Sequence, residues 1–235
     1  MSARPVGQAP GLLAAPVLRV SPAALRANAA VLVGRDPGAT ADLRRDARGH
    51  GLARVGRVLA EAGLRRAVLD PRDLEAAHAL GLEPAEPPAT LDLDLLLGLP
   101  GAGGAPVSTL VSAVATTKIL RAGEGVSYGL IHRALNDTRV ALVPGGYSHG
   151  IVRALGNAAE VAIGGRRHPI VGRIAMDVMV VDVGDADVEP GAPVVLLGDA
   201  RREEPTLVDW ARITGLSAAE LLTAVALRCA MEDDG

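Results

Sequence analysis

The sequence predicts an α/β first half followed by a mainly β second half that closes with two helices. Three observations carry this reading. From Pro16 to Leu82 short apolar runs alternate with segments of helical spacing. Between Val107 and Leu197 six short apolar runs are punctuated by Gly-Gly, Gly-Asp and Pro-Gly pairs, and two capped helical segments follow. Alternation of strand and helix implies a parallel sheet with crossover helices. Short strands separated by turn residues imply a small barrel or two packed sheets.

Taken in order, Met1 to Gly11 is rich in Pro, Gly and Ser and is expected as a disordered tail. Leu12 to Val20 is apolar but interrupted by Pro16, with one preceding arginine and no small-residue cleavage site, so it reads as a first strand rather than a leader. Ser21 before Pro22 is an N-cap with proline in the first turn, opening a helix through about Val33. Leu52, Val55, Val58, Leu59 and Ala62 recur at helical spacing, Ala67 to Leu69 is a short buried strand, and Pro71 to Leu80 is a third helix stopped by Gly81. Glu83 to Pro106 is a Pro/Gly-rich connection around one apolar run, Leu91 to Leu99, where a domain boundary belongs. Beyond it, strands are expected at Val107–Leu120, Arg139–Pro144, Glu160–Ile163, His168–Ile174, Met179–Val183 and Pro193–Leu197. Helices near Thr206–Ile213 and Ser217–Leu227 end the chain, the second opened by the capping box of Ser217 and Glu220. The resulting division is a tail over 1–11, an α/β region over 12–100 and a β region with two closing helices over 101–235.

Composition narrows the function classes. Phe is absent, and Tyr128, Tyr147 and Trp210 are the only aromatic residues, so the core must be packed from Ala, Val and Leu. Net charge is −3 with both signs interspersed, and no basic stripe with interleaved aromatics supports nucleic-acid binding. The single Cys229 excludes an intrachain disulfide framework and suits a reducing compartment. No apolar run reaches the roughly 20 residues of a membrane helix, and a cytoplasmic location is expected. The histidines show no metal-ligand spacing, so no metal site is expected.

Three glycine-rich signatures stand out in the second half: Ala122 to Gly129 (AGEGVSYG), Pro144 to Gly150 (PGGYSHG) and Pro169 to Asp177 (PIVGRIAMD). Each reads on its own as a tight turn between strands. Both tyrosines of the chain sit in such turns, and loops are where function concentrates.

In order and spacing these segments resemble the AGxGVSYG, GYxDG and PIVGRIxMD motifs of the alanine racemase family, over about Val107 to Leu227. The resemblance implies that the α/β half is a remnant of a TIM-like βα barrel and the β half the family's carboxy-terminal domain. It also implies a pyridoxal phosphate cofactor held by a barrel lysine. A tyrosine from the β-domain of the other subunit acts as second acid/base on the opposite face, which makes the dimer part of the mechanism. Tyr128 matches that catalytic tyrosine, and Tyr147 and Met176 match residues that line the site mouth and hold substrate.

The departures lie mostly in the first half. The family lysine occurs in a motif close to VKADAYGHG; here Leu43 to Gly51 reads LRRDARGHG, with Arg44 at the lysine and Arg48 at the tyrosine. Arginine stays protonated and its guanidinium is a very poor nucleophile. The only lysine, Lys118, is expected as a solvated residue of a strand entering the β region. Eight βα units need about 200 residues, whereas Pro16 to Pro106 supplies about 90, enough for roughly three. Ala219 stands where the family places a phosphate-binding tyrosine. An unperturbed tyrosine has a pKa of about 10, so Tyr128 needs cationic neighbours from an opposing barrel to act as a base. His50 is expected at a helix entry, Asp177 as a structural hydrogen-bond acceptor, His149 in place of the motif's aspartate, and Arg201 to Glu204 as a solvated loop.

These features predict a racemase-like protein without independent racemisation, for which no cofactor is expected and which acts by binding or subunit association, as a homodimer or in a mixed dimer with a full-length racemase. The alternatives are an active pyridoxal phosphate-dependent racemase supplying D-alanine, and a module that binds a small amino-acid ligand.

Overall fold

The computed structural model describes residues 14–127 and 129–234. Strand β1 (Val17–Val20) leads into helix α1 (Pro22–Arg35), whose N-cap Ser21 accepts a hydrogen bond from the Ala24 amide at 3.3 Å. Strand β2 (Thr40–Asp42), a tight turn over Arg44–Arg48 and helix α2 (Leu52–Glu61) follow. Next come β3 (Arg66–Val68), a 3-10 turn at Pro71–Asp73 that continues into α3 (Leu74–Ala79), β4 (Glu83–Pro84) and α4 (Leu93–Leu96). The β-rich stretch contains β5 (Ser108–Ala113), β6 (Thr116–Leu120), β7 (Gly125–Val126), β8 (His132–Arg133), β9 (Thr138–Pro144), β10 (Glu160–Ile163), β11 (Arg166–Val171), β12 (Val178–Gly184) and β13 (Pro193–Leu197). Helices α5 (Leu207–Thr214) and α6 (Ala218–Ala226) and strand β14 (Ala230–Asp233) complete it.

By its packing the chain forms two units. One joins Val17–Leu110 to 206–234, so the closing helices belong with the α/β segment; the other is Val111–Pro205 with residues 14–16.

In the α/β unit, β2, β3 and β4 pair in parallel, with Thr40 opposite Arg66 and Arg66 opposite Glu83. Strand β1 pairs in parallel with β14, from Val17 against Ala230 to Val20 against Asp233. Helix α2 buries Leu52, Val55, Val58 and Leu59 on one face and turns Arg57 outward, an amphipathic pattern that docks it on the unit's leucine-rich core, while Arg54 pairs with Asp233 at 2.8 Å. Inside α1 the amide of Asn28, itself buried, bridges a distant connection: Nδ2 donates to the Leu96 and Ala105 carbonyls at 3.1 and 2.8 Å, and Oδ1 accepts from the Ala105 amide at 2.8 Å.

In the β unit the strand order is β13-β10-β11-β12-β9-β6, antiparallel throughout. Alternation along β12 buries Met179, Val181 and Val183 and leaves Val180 and Asp182 half-buried, so both faces of this sheet carry apolar packing. The two-residue strands β7 and β8 form a small hairpin of their own.

The expected strands at Glu160–Ile163 and Pro193–Leu197 are reproduced, and those at Arg139 and Met179 are one residue longer at one or both ends. Four expectations are corrected. The run from Val107 is two strands rather than one, because the chain turns at Val114–Ala115. The strand expected to reach Ile174 stops at Val171, where Gly172 takes φ +77°. The apolar run Leu91–Leu99 is no mere connection: Asp92 caps a short helix in it by accepting the Leu95 amide at 3.0 Å. Strand β14 was not anticipated. The first strand spans Val17–Val20 within the expected Leu12–Val20; the expected tail over 1–11 lies outside the described residues.

Candidate functional site

The three glycine-rich signatures converge on one loop of the β unit, Gly172 to Asp177. From the first signature, the Ser127 hydroxyl donates to the Arg173 carbonyl at 2.6 Å. A Cβ on Gly172 would lie 2.3 Å from that of Ser127, so only glycine permits this approach. Ser127 and Leu130 take positive φ (68° and 48°), making a tight turn closed by the Leu130 amide on the Ser127 carbonyl at 3.1 Å. Tyr128, at the centre of this turn in sequence, lies outside the described residues.

The second signature is bonded to the third along its backbone. The Gly145 amide donates to the Asp177 carbonyl at 2.7 Å, Tyr147 to Ala175 at 3.1 Å and Ser148 to Met176 at 3.0 Å. The Ser148 hydroxyl lies 2.8 Å from both the Met176 carbonyl and the Asp177 carboxylate, which gives Asp177 the acceptor role expected of it. A Cβ on Gly146 would stand 2.2 Å from the Met176 carbonyl oxygen. His149 closes the turn by accepting the Gly146 amide on Nδ1 at 3.2 Å.

This framework brings Tyr147 and Met176 onto adjoining loops with their side chains in solvent, at 39% and 54% exposure. The Arg153 guanidinium sits 5.5 Å from the Tyr147 ring centroid, a cation–π contact that orients the ring. Below the first signature, Asp137 accepts the Ala122 amide at 2.9 Å and pairs with Arg121 at 2.6 Å; that amide and that guanidinium hold its carboxyl below the usual range. Ser148, Arg173 and Arg153 were not singled out from the sequence, and their only signal is adjacency to the glycine motifs.

In the α/β unit, residues 43–51 form a second construction. Arg45, Asp46, Ala47 and Arg48 all have φ between 53° and 57°, a left-handed helical turn built without glycine. Such a turn costs roughly 1–2 kcal/mol per residue. Its own ladder holds it, with Ala47 donating to Leu43 at 2.9 Å and Gly49 to Arg45 at 2.9 Å. Two carboxylates pin its ends: Asp70 accepts the Arg45 amide at 2.7 Å and Asp46 the Leu52 amide at 2.6 Å. Gly49, at φ +83°, lies so close to the end of α6 that a Cβ would be 2.9 Å from the Ala226 carbonyl carbon.

Arg44 stands at the head of this turn. Its Nε and Nη2 donate to the two carboxylate oxygens of Asp42 at 2.8 and 2.5 Å, and this paired hydrogen bond holds the Asp42 carboxyl low and raises the guanidinium. Arg48 pairs with Asp94 at 2.5 Å. His50, 1% exposed, is within 3.3 Å of the Arg48 carbonyl through Nδ1 and 3.4 Å of the Ser108 hydroxyl through Nε2. Burial pushes its pKa down to about 4, so it is neutral near neutrality and serves packing at the entry to α2. Lys118 is on β6 of the other unit. Among the described residues no cluster of three or more His, Cys, Asp or Glu is placed to hold a metal ion, and no helix is long and apolar enough to cross a membrane.

An antiparallel β unit that gathers these motifs on a single loop defines a racemase-type carboxy-terminal domain, and the comparisons agree. Residues 107–232 match the family model described as "Alanine racemase, C-terminal domain". The alanine racemase of Mycobacterium leprae (strain TN) is 47% identical over 122 residues, covering 51% of this chain and 31% of that protein. That of Mycobacterium tuberculosis (strain ATCC 25618 / H37Rv) is 48% identical over 124 residues, or 52% and 32%. The chain thus spans about a third of the length of the curated relatives it matches. Among solved structures, alanine racemase from Streptomyces coelicolor A3(2) superposes with TM-score 0.74 at 23% identity, covering 93% of this chain and 98% of that one. Alanine racemase from Bartonella henselae, solved with covalently bound pyridoxal phosphate, gives 0.76 at 16% identity, covering 94% and 100%. Both likenesses are of fold. The chain belongs to the alanine racemase family.

Proposed function

We propose that this chain is a racemase relative that acts by association, presenting Tyr128, Tyr147 and Met176 to the barrel of another subunit, without racemising amino acids by itself. The reading takes 12–100 as a shortened βα-barrel region and 101–235 as the β-domain. The observation that carries it is Arg44. Where the family resemblance calls for an amine, a permanently charged guanidinium is held through Nε and Nη2 by Asp42.

Pyridoxal phosphate does not fit the residues present. Arg44 offers no primary amine to an aldehyde. Ala219 has a methyl group where the family uses a phenol, and the α/β unit has three parallel strands, β2, β3 and β4, plus the β1–β14 pair. The loops of the β unit, by contrast, are bonded into one framework that exposes Tyr147 and Met176. Half-exposed apolar and aromatic side chains on a rigid loop suit contact with a partner. The partner chemistry is that of a family barrel, on a full-length racemase or a second copy.

The test is to mix the chain with a full-length racemase from the same cell and measure mass by light scattering after size exclusion. A mixed dimer is expected, with racemase activity changing as the chain is added. Tyr128→Phe tells completion of the partner's site from blockade, since only completion is lost. A species that remains monomeric beside the racemase refutes the proposal. So does mass spectrometry showing cofactor fixed to this chain after borohydride, together with turnover of L-alanine, which establishes the active-enzyme reading instead.

A further inference from the structure

The β unit holds an apolar groove, and the chain's only lysine stands on its rim. Strand register places it. Thr116 lies opposite Leu142, which lies opposite Val180, and Lys118 lies opposite Val140 one row along. Alternation puts these side chains on one face of the sheet. At the Val140 end, Val126 of the β7–β8 hairpin belongs to one buried cluster with Leu120, Ala134, Val140 and Val171, against which Val180 packs. A groove of about 450 Å³ on this face is bounded by Thr116, Lys118, Val126, Leu130, Leu142 and Val180.

Three properties select an occupant. The floor is branched aliphatic and the lip, Leu130, is 50% exposed, so apolar surface is left facing water in a concave site. None of the ion pairs among the described residues engages Lys118, so its ammonium is left available at the edge of that surface. Thr116, on the same face, adds a hydroxyl. The carboxylate nearest in register, Asp182, is turned to other donors and accepts the Thr138 hydroxyl at 2.6 Å and the Gly184 amide at 3.0 Å.

The geometry points to a binding site for a small aliphatic monocarboxylate: the hydrocarbon chain lies along Leu142 and Val180, and the carboxylate meets the Lys118 ammonium and the Thr116 hydroxyl. The site requires no cofactor, and its test reads the chain alone, apart from the association proposed above. Hexanoate is the probe, with 1-hexanol as its neutral counterpart, titrated into the full chain and followed by calorimetry and by NMR shifts of the valine and leucine methyls. One saturable site is expected, with hexanol at least tenfold weaker. Lys118→Met weakens hexanoate at least tenfold and leaves hexanol unchanged; because the side chain is exposed, this variant folds. Val180→Phe, which fills the groove, removes both. The proposal is overturned if hexanoate fails to saturate, if hexanol binds equally well, if Lys118→Met binds hexanoate like the parent, or if the groove methyls respond only to protein concentration, which would assign the groove to a second copy.

Discussion

His50 makes the stability of the α/β unit depend on pH in a window set by its burial. In the unfolded chain its pKa is the ordinary 6.5; in the fold it is pushed down to about 4, first by desolvation and then by the charges of Arg54 and Arg48. Below pH 6.5 the unfolded chain therefore binds a proton that the folded chain refuses, and acidification favours unfolding. Stability is complete above pH 6.5, falls as pH drops toward 4 and levels off below it. The gap between 6.5 and about 4 corresponds to about 3 kcal/mol. Carboxylates held low by their partners, such as Asp42 and Asp199, act in a separate window, since their contribution is lost only as pH falls below the ordinary 3.8. The assay is urea unfolding of the parent and of His50→Gln at steps from pH 7.5 to 4.5, supported by NMR titration of the His50 ring. The parent should lose about 2–3 kcal/mol more than the variant between pH 7 and 4.5. Parallel pH profiles, or a native His50 that titrates near 6.5, refute the reasoning.

Two further substitutions test the frameworks. Gly146→Ala sets a methyl against the Met176 and Ala175 carbonyls at 2.2 and 2.4 Å and forces the Tyr147 loop off the Met176 loop; the expected cost is about 1–3 kcal/mol by chemical denaturation, with weaker capture of a racemase partner, whereas parent-like stability would show the loops are not locked. Asn28→Ala removes three hydrogen bonds and strands the Leu96 and Ala105 carbonyls and the Ala105 amide; a loss of about 2–4 kcal/mol is expected, and a change below about 0.5 kcal/mol would show that solvent satisfies these groups.

Strands whose residues alternate or run apolar between turn pairs, such as Glu160–Ile163 and Pro193–Leu197, were legible because burial imposes that pattern directly. The capped starts at Ser21 and Ser217 were legible for a local reason, since a hydroxyl satisfies an amide three residues away. Strand β14 was hidden because Ala230–Asp233 is short and acidic, and only pairing with β1 makes it a strand. The left-handed turn was equally hidden: Arg, Asp and Ala all prefer the right-handed region, and the override comes from Asp70, Asp46 and the end of α6. Within the candidate site, each glycine motif was visible as a turn, but their joining through Gly172–Asp177 rests on hydrogen bonds between residues up to 46 apart in sequence. The acidic partner of Arg44 lay in plain view two residues upstream, as Asp42.

The strained turn at Arg45–Arg48 bears on the proposal that Arg44 stands in place of a lysine. Backbone held in the left-handed region is a common mark of a functional site, and its persistence here argues superficially for retained chemistry. The contacts that hold it argue otherwise. Every identified restraint is structural: ladder bonds to Leu43 and Arg45, amide capture by Asp70 and Asp46, and the glycine-only approach of Gly49 to Ala226. None of them involves the side chain at position 44, which points its charge at Asp42. The turn is therefore stable whether the residue at its head is an amine or a guanidinium. On the proposed reading, exchanging one for the other keeps the scaffold and changes only the chemistry at its head. Arg44→Lys separates the two: it should leave unfolding free energy within about 0.5 kcal/mol of the parent, because the pair with Asp42 is partly exposed and worth little. A loss of several kcal/mol would mean that the guanidinium itself holds the turn, and that the scaffold has been rebuilt around it.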